Sequence, residues 1–204
     1  MVIVLEYILE NRDSLDLEEY PVVAKVLQEE LDDIDISNIL NIIHSLKEKY
    51  LYQGTAIHGK YHSEKVFLYC YLLLKRMDCQ SEYSKILFDA ALYHDIGRQD
   101  NREDEFHGMQ SAYRINEVIS DEEFYQDKRF LIVLKALMDA HCRQDGNEDN
   151  SFENFAYELD LFNMDENKPS EEAYEVFDLF TFYIKVLKDA DALDRKRFGD
   201  ECQA

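Results

Sequence analysis

The sequence contains little glycine, little proline and little positive charge. Six glycines and two prolines among 204 residues leave few positions for tight turns, a composition that favours a mostly helical globular protein. The 22 Lys and Arg residues stand against 44 Asp and Glu residues, and the net charge of -22 argues against binding to duplex nucleic acid or an anionic membrane. A small phosphorylated substrate remains compatible with this charge, because bound cations reverse the local field.

Cysteines and long apolar runs are also scarce. The four cysteines form no CxxC pair, which indicates reduced thiols rather than a disulfide framework. No apolar run reaches the length of a membrane span, and the first residues lack the basic region of a signal peptide. These absences predict a cytoplasmic protein.

The length and periodicity predict one all-α domain with its own hydrophobic core. Residues 1–50 are expected to form short helices that pack on the remainder or contribute to a homo-oligomer, without being an independent domain. Residues 51–204 are expected to carry the chemistry. A long helix is predicted over residues 121–141, followed by a polar loop.

A histidine and an aspartate stand together where an apolar helix pattern ends. Ala90 and Ala91 precede His94 by one helical turn, so the three residues share a helical face, and Gly97 can end the helix. His94 and Asp95 therefore emerge at the edge of a hydrophobic stripe, where a buried metal site can be built. The alternative is an ordinary polar helix end.

The same placement recurs at other potential ligands, which are His62, His107, His141 and Asp191. Imidazole and carboxylate donors suit Fe, Mn, Co, Ni or Zn, and Mg less well. Asp95 has two oxygens and can bridge two ions roughly 3.5–4 Å apart. Each histidine taken alone can also be a core-edge residue bonded to the backbone, whereas burying an unpaired carboxylate such as Asp191 is costly.

These separated motifs resemble those of the HD-domain metal-dependent phosphohydrolase superfamily. His62, His94-Asp95 and Asp191 follow its H…HD…D pattern. The stretch His58-Gly59-x-x-His62-x-x-Lys65-Val66 resembles the opening motif of bacterial members, and Phe106-His107-Gly108-x-x-Ser111-Ala112 resembles their second histidine block. The resemblance extends over residues 56–198.

The resemblance implies a helical bundle that converges on one or two divalent ions. It assigns the first ion to His62, His94, Asp95 and Asp191, and places His107 and His141 where two-metal members have further ligands. Arg98 stands where cyclic-dinucleotide members carry lysine, which suggests phosphate binding, with a solvated helix-end cation as the alternative.

Three further side chains near the ligands have open assignments. Lys65 is another candidate for binding phosphate, with a surface role as the alternative. His58 is a candidate ligand, or else it supports a ligand or faces the substrate. Asp194 is expected to pair with Arg195 or Arg197, with orientation of a ligand as the alternative.

The implied function is hydrolysis of a phosphomonoester or phosphodiester, of a nucleotide, by attack of metal-bound hydroxide, with Asp95 and Arg98 in catalytic roles. No Gly-Tyr-Pro triplet follows the histidine block, so cleavage of cyclic di-GMP is not indicated. The synthetase half of (p)ppGpp enzymes is also missing. Two alternatives stay open: a diiron oxygenase on the same scaffold, and a non-catalytic sensing module that retains metal.

Overall fold

The computed structural model describes residues 5–6, 27–53, 58–102, 104 and 106–195. The chain divides into two compact units, residues 1–47 and residues 48–204. Much of the segment 1–50 that was predicted to pack on the remainder lies outside the described residues, and that packing stays a prediction.

The described part of the first unit contains helix α1, Asp33–His44. Asp32 caps its N-terminus by accepting a hydrogen bond from the backbone N–H of Asp35, whose side chain accepts one from the N–H of Asp32. This reciprocal cap satisfies two backbone donors that an unprotected helix start would leave unpaired. Ile36, Ile39 and Ile43 then bury one face of the helix, as their spacing predicts.

The second unit is built almost entirely from helices. Their bounds are α2 Lys60–Arg76, α3 Ser84–Tyr93, α4 His107–Ile119, α5 Lys128–Ala140, α6 Asp149–Glu158, α7 Glu171–Tyr174 and α8 Phe177–Arg195. Short 3-10 turns lie at Glu48–Tyr50 and Glu123–Gln126. A two-residue antiparallel ladder pairs β1, Phe162–Asn163, with β2, Lys168–Pro169. The predicted all-α class is confirmed, and among the described helices none is long and apolar enough to cross a membrane.

Helix α5 forms the centre of this unit and contacts α3, α4, α6 and α8. It is buried on nearly all sides because its sequence is apolar through two turns, including Val133, Leu134, Leu137 and Met138. Asp127 caps its start by accepting from the N–H of Arg129. The helix predicted over residues 121–141 is thus two elements, because this cap begins a new helix after the 3-10 turn.

Two glycines let the start of α4 approach its neighbours closely. A Cβ on Gly97 would lie 2.4 Å from the carbonyl oxygen of His107 and 2.4 Å from the backbone nitrogen of Ser111. A Cβ on Gly108 would lie 2.6 Å from the carbonyl oxygen of Met138 at the end of α5. These contacts bring the first residue of α4 against both the turn after α3 and the end of α5.

We expect Gly97→Ala to lower the free energy of unfolding by about 3 kcal/mol, because the added methyl group meets backbone that cannot rotate away. Gly146→Ala is the matched control, since Gly146 has φ +91° but nothing within 4 Å of a Cβ. The control should lose about 1 kcal/mol from backbone strain alone. Chemical denaturation measures both losses, and equal losses would contradict the close approach at Gly97.

Candidate metal centre

The structure brings together the six ligand candidates that the sequence analysis names. They come from five helices: His62 lies in the first turn of α2, His94 and Asp95 follow α3, His107 begins α4, His141 follows α5, and Asp191 lies near the end of α8. All six are buried, with relative exposures of 1% to 4%. The site therefore forms where the ends of several helices meet inside the second unit.

One group of donors surrounds Oδ2 of Asp95. The Nε2 atoms of His62 and His94 lie 3.0 Å apart, and each is 3.6 Å from this oxygen. Oδ1 of Asp191 is 3.3 Å from His62 Nε2. This first cluster consists of His62, His94, Asp191 and Asp95 Oδ2.

A second group surrounds the other oxygen of the same carboxylate. The Nε2 atoms of His107 and His141 lie 2.9 Å apart, and they are 3.2 Å and 3.7 Å from Asp95 Oδ1. Cys142 lies in the same neighbourhood, because one potential ligand atom from each of His107, His141 and Cys142 falls within 4.8 Å of the others. This second cluster consists of His107, His141 and Asp95 Oδ1.

In each of the four histidine ligand candidates, the Nδ1 atom faces away from the centre and donates a hydrogen bond to an acceptor. His62 Nδ1 donates to Asp194 at 2.7 Å, His94 Nδ1 donates to the carbonyl of Ala91 at 2.8 Å, and His141 Nδ1 donates to the carbonyl of Met138 at 2.6 Å. His107 Nδ1 donates to the carbonyl of Asp104. These acceptors hold the Nδ1 proton on the outer side of each ring and turn the Nε2 atom toward the centre, the orientation required of a metal-binding histidine.

The pKa values reflect the close pairing of these rings. Burial lowers the pKa of His62, but the carboxylates of Asp191 and Asp194 outweigh burial and raise it to about 9. Burial lowers the pKa of His94 to about 3. The opposite shifts correspond to one proton between two Nε2 atoms, a position that a divalent cation can take when it displaces that proton.

The two carboxylates at the centre stay ionised. Burial raises the pKa of Asp95, but the surrounding imidazoles, with His94 foremost, hold it well below its ordinary value. Burial likewise raises the pKa of Asp191, and contacts with His62 and Arg195 reverse the shift and lower it. Two buried anions beside four imidazoles form a donor set that favours a cation.

Oδ1 of Asp191 provides a separate test of whether a metal ion fits. This atom is buried and accepts no hydrogen bond from any described residue, although it lies 3.3 Å from His62 Nε2. A buried carboxylate oxygen that accepts no hydrogen bond is costly, whereas coordination of a cation satisfies it. The side chains present are therefore positioned to hold a metal ion.

The remaining candidates from the sequence contact the site through its carboxylates. His58 Nδ1 lies 2.9 Å from Asp95 Oδ2, and Arg98 Nε donates to Asp95 Oδ1 at 2.9 Å. Lys65 Nζ lies 3.5 Å from Asp194 Oδ1. Lys65 is thus placed beside the residue that orients His62, and its predicted role in phosphate binding stays a prediction.

Some contributors were missed or assigned differently from the sequence. Asp194 orients His62, the alternative that was not favoured, and Arg195 pairs with Asp191. The other predicted partner of Asp194, Arg197, lies outside the described residues. The signal for Asp194 is its spacing, since it lies one helical turn beyond Asp191 and so shares its face. The carbonyl acceptors carry no such signal, because any residue type offers the same carbonyl.

A cavity of about 1160 Å³ opens from the centre. Three ligand candidates line it: His107, His141 and Asp191. Its basic side chains are Arg98, Arg143, Lys185, Lys188 and Arg195, and its acidic ones include Asp104, Asp145, Glu148, Asp149 and Asp189. Lys185, Lys188 and Arg195 share a face of α8 with Asp191, so that face carries both a ligand candidate and cations into the cavity.

Comparisons with protein-family models, curated proteins and solved structures found no match for this chain. The chemistry of the centre therefore has to be inferred from its own donors, distances and burial, since a helical fold alone does not specify a reaction.

If Asp95 is shared by both clusters, its removal should affect metal binding more than removal of a ligand on one side. We expect wild type, after loading with Mn²⁺ and desalting, to hold about two ions per chain. Asp95→Ala should hold none, and His141→Ala should hold about one. Elemental analysis gives these ratios, with His44→Ala as the control because His44 is an exposed histidine.

An equal metal content in His141→Ala and wild type would contradict the second cluster. Retention of both ions by Asp95→Ala would contradict the sharing of its carboxylate.

Proposed function

We propose that this chain is a metal-dependent phosphohydrolase of the HD type that hydrolyses a phosphomonoester or phosphodiester bond of a nucleotide. The observation that carries the proposal is the position of Asp95 between two imidazole clusters. Its Oδ2 lies 3.6 Å from His62 and His94, while its Oδ1 lies 3.2 Å from His107 and 3.7 Å from His141. A carboxylate shared in this way is typical of hydrolases that clamp a phosphoryl group between two ions.

The donors divide between two divalent ions. His62, His94 and Asp191 would hold one of them, His107 and His141 would hold the other, and Asp95 would contribute to both. The chemistry such ions supply is activation of a water molecule for attack on phosphorus, together with neutralisation of charge on the phosphoryl oxygens. The imidazole-rich set favours Fe, Mn, Co, Ni or Zn over Mg.

Arg98 is the side chain best placed to hold the phosphoryl group. It lines the cavity, its side chain is 7% exposed, and its Nε is anchored by Asp95 Oδ1 at 2.9 Å. One edge of the planar guanidinium is thereby fixed. Nη1 also donates to the carbonyl of Arg102 at 3.2 Å. We assign to the remaining N–H groups the role of donating to phosphate oxygens as charge develops on them.

The large cavity is lined by further cations together with carboxylates. With a net charge of -22, the surface as a whole repels phosphates, so attraction has to be local. Lys188 is held by Asp145 at 2.7 Å and Glu148 at 2.6 Å, which positions its ammonium at the cavity wall. We assign to Lys188, Lys185 and Arg195 the role of drawing a small phosphorylated molecule toward the centre.

Removal and return of metal tests the reaction class. Protein treated with a chelator should not hydrolyse p-nitrophenyl phosphate, bis-p-nitrophenyl phosphate or a panel of nucleotides. Return of Mn²⁺, Fe²⁺, Co²⁺, Ni²⁺ or Zn²⁺ should restore release of phosphate or of a nucleoside product from at least one of them. No turnover with any metal would contradict the proposal, and metal-dependent oxygen consumption in its place would favour the oxygenase.

Arg98→Gln should lower kcat/KM by about 100-fold while leaving the metal content unchanged, because an interaction with developing charge is lost. Arg102→Gln is the matched control: Arg102 lies in the following loop, its side chain is 87% exposed, and it pairs with Asp100. The kcat/KM of Arg102→Gln should stay within about twofold of the wild-type value, as expected for a surface residue. A loss of similar size in both variants would contradict a specific role for Arg98.

A further inference from the structure

A second cavity, of about 330 Å³, adjoins the large one. The two share a wall formed by Cys142, Arg143 and Gln144, which directly follow His141 in the chain. The remaining lining residues of the second cavity are Phe106, Met109, Asp139, Asn147 and Asn150. The second cavity therefore lies beside the large one, next to the segment that follows His141.

The walls of the second cavity combine an apolar side with amide groups. Phe106 is 63% exposed and Met109 is 36% exposed, although both are large apolar side chains that normally bury. The polar part of the lining consists of Gln144, Asn147 and Asn150, whose side-chain amides both donate and accept hydrogen bonds. An aromatic face beside several amides suits a flat, polar-edged ring better than an aliphatic chain.

Asp139 adds a feature that is not explained by packing. It is 2% exposed, and its Oδ2 accepts from Ser151 at 2.7 Å and from Arg143 at 2.9 Å and 2.7 Å. Its Oδ1 is buried and accepts no hydrogen bond from the described residues. A buried carboxylate oxygen that stays unpaired is costly, so a residue lining a cavity in this state indicates a ligand that donates to it.

We propose that the second cavity binds the nucleobase of the substrate and that an exocyclic amino group of the base donates to Oδ1 of Asp139. The inference rests on the proposed function in one respect, since it takes the substrate of the metal centre to be a nucleotide. The base stacks on Phe106, and its phosphate lies in the large cavity on the other side of the shared wall. The site thereby selects adenine, cytosine or guanine over bases that lack the amino group.

The amino group is chosen because Oδ1 of Asp139 is an acceptor that receives no hydrogen bond from the described residues. An exocyclic amino group lies on the edge of the base and has two N–H groups to donate to such an oxygen. An ionised carboxylate offers only acceptors, so an exocyclic oxo group in the same position would be repelled. A site with one buried acceptor therefore discriminates strongly between amino and oxo analogues.

Nucleosides test the base site without depending on metal or hydrolysis. NMR titration of wild type should give, in at least one of the pairs adenosine and inosine, guanosine and inosine, or cytidine and uridine, at least about tenfold tighter binding of the amino-bearing member. Asp139→Asn should abolish or reverse that preference. Its amide oxygen can still accept from Ser151 and Arg143, while its NH₂ replaces the unpaired oxygen. Glu153→Gln, the same change on the exposed face of α6, should leave the preference intact.

Phe106→Ala provides a second test that does not touch the core. Loss of the stacking face should weaken binding of the preferred nucleoside at least about fivefold. This result decides the proposal if Asp139→Asn fails to fold, which circular dichroism would show.

Equal affinities within every pair, no nucleoside binding, or an unchanged preference in Asp139→Asn would overturn the base site. Hydrolysis of p-nitrophenyl phosphate, which has no nucleobase, reports separately on the proposed reaction. Turnover of that compound without nucleoside selectivity would leave the phosphohydrolase standing and remove the base site. Nucleoside selectivity without turnover of any phosphate ester would support the base site and contradict the phosphohydrolase.

Discussion

The second unit holds four imidazole Nε2 atoms and two carboxylates together in its interior. His62 and His94 approach within 3.0 Å, and His107 and His141 within 2.9 Å, with Asp95 between the pairs. Two lone pairs cannot face each other at such distances without a proton or a cation between them. The arrangement is therefore a place where positive charge is required, and a divalent cation meets that requirement with all donors already in position.

Backbone carbonyls orient three of the four imidazoles, and the carboxylate of Asp194 orients the fourth. His94 and His141 each donate to a carbonyl three residues earlier, Ala91 and Met138, so the end of a helix orients the ring that follows it. Gly97 and Gly108 let α4 come close enough for His107 to join His141. The second cluster thus depends on close backbone approach, whereas the first depends on Asp194 and on the faces of α2 and α8.

The parts of the site that were predictable from sequence are those encoded in helical spacing. An apolar stripe ending in His94 or His141 indicates both the helix and the direction of its last side chain, so the helical class follows from periodicity. The convergence of the six donors was instead implied by the resemblance to the HD-domain superfamily, because it depends on how five helices pack. The position of Asp194 against His62, 132 residues apart in the chain, depends on how α2 packs against α8, which no local pattern encodes. The basic face of the large cavity and the second cavity behind Cys142–Gln144 depend on the same tertiary packing.

Crystallography of the metal-loaded protein tests the central claim most directly. Crystals grown with Mn²⁺, with diffraction recorded at the manganese absorption edge, should show two anomalous peaks per chain roughly 3.5–4 Å apart. We expect one peak among His62, His94 and Asp191, the other between His107 and His141, and Asp95 bridging them. A single peak at saturating Mn²⁺, or none at this position, would contradict a two-metal centre organised around Asp95.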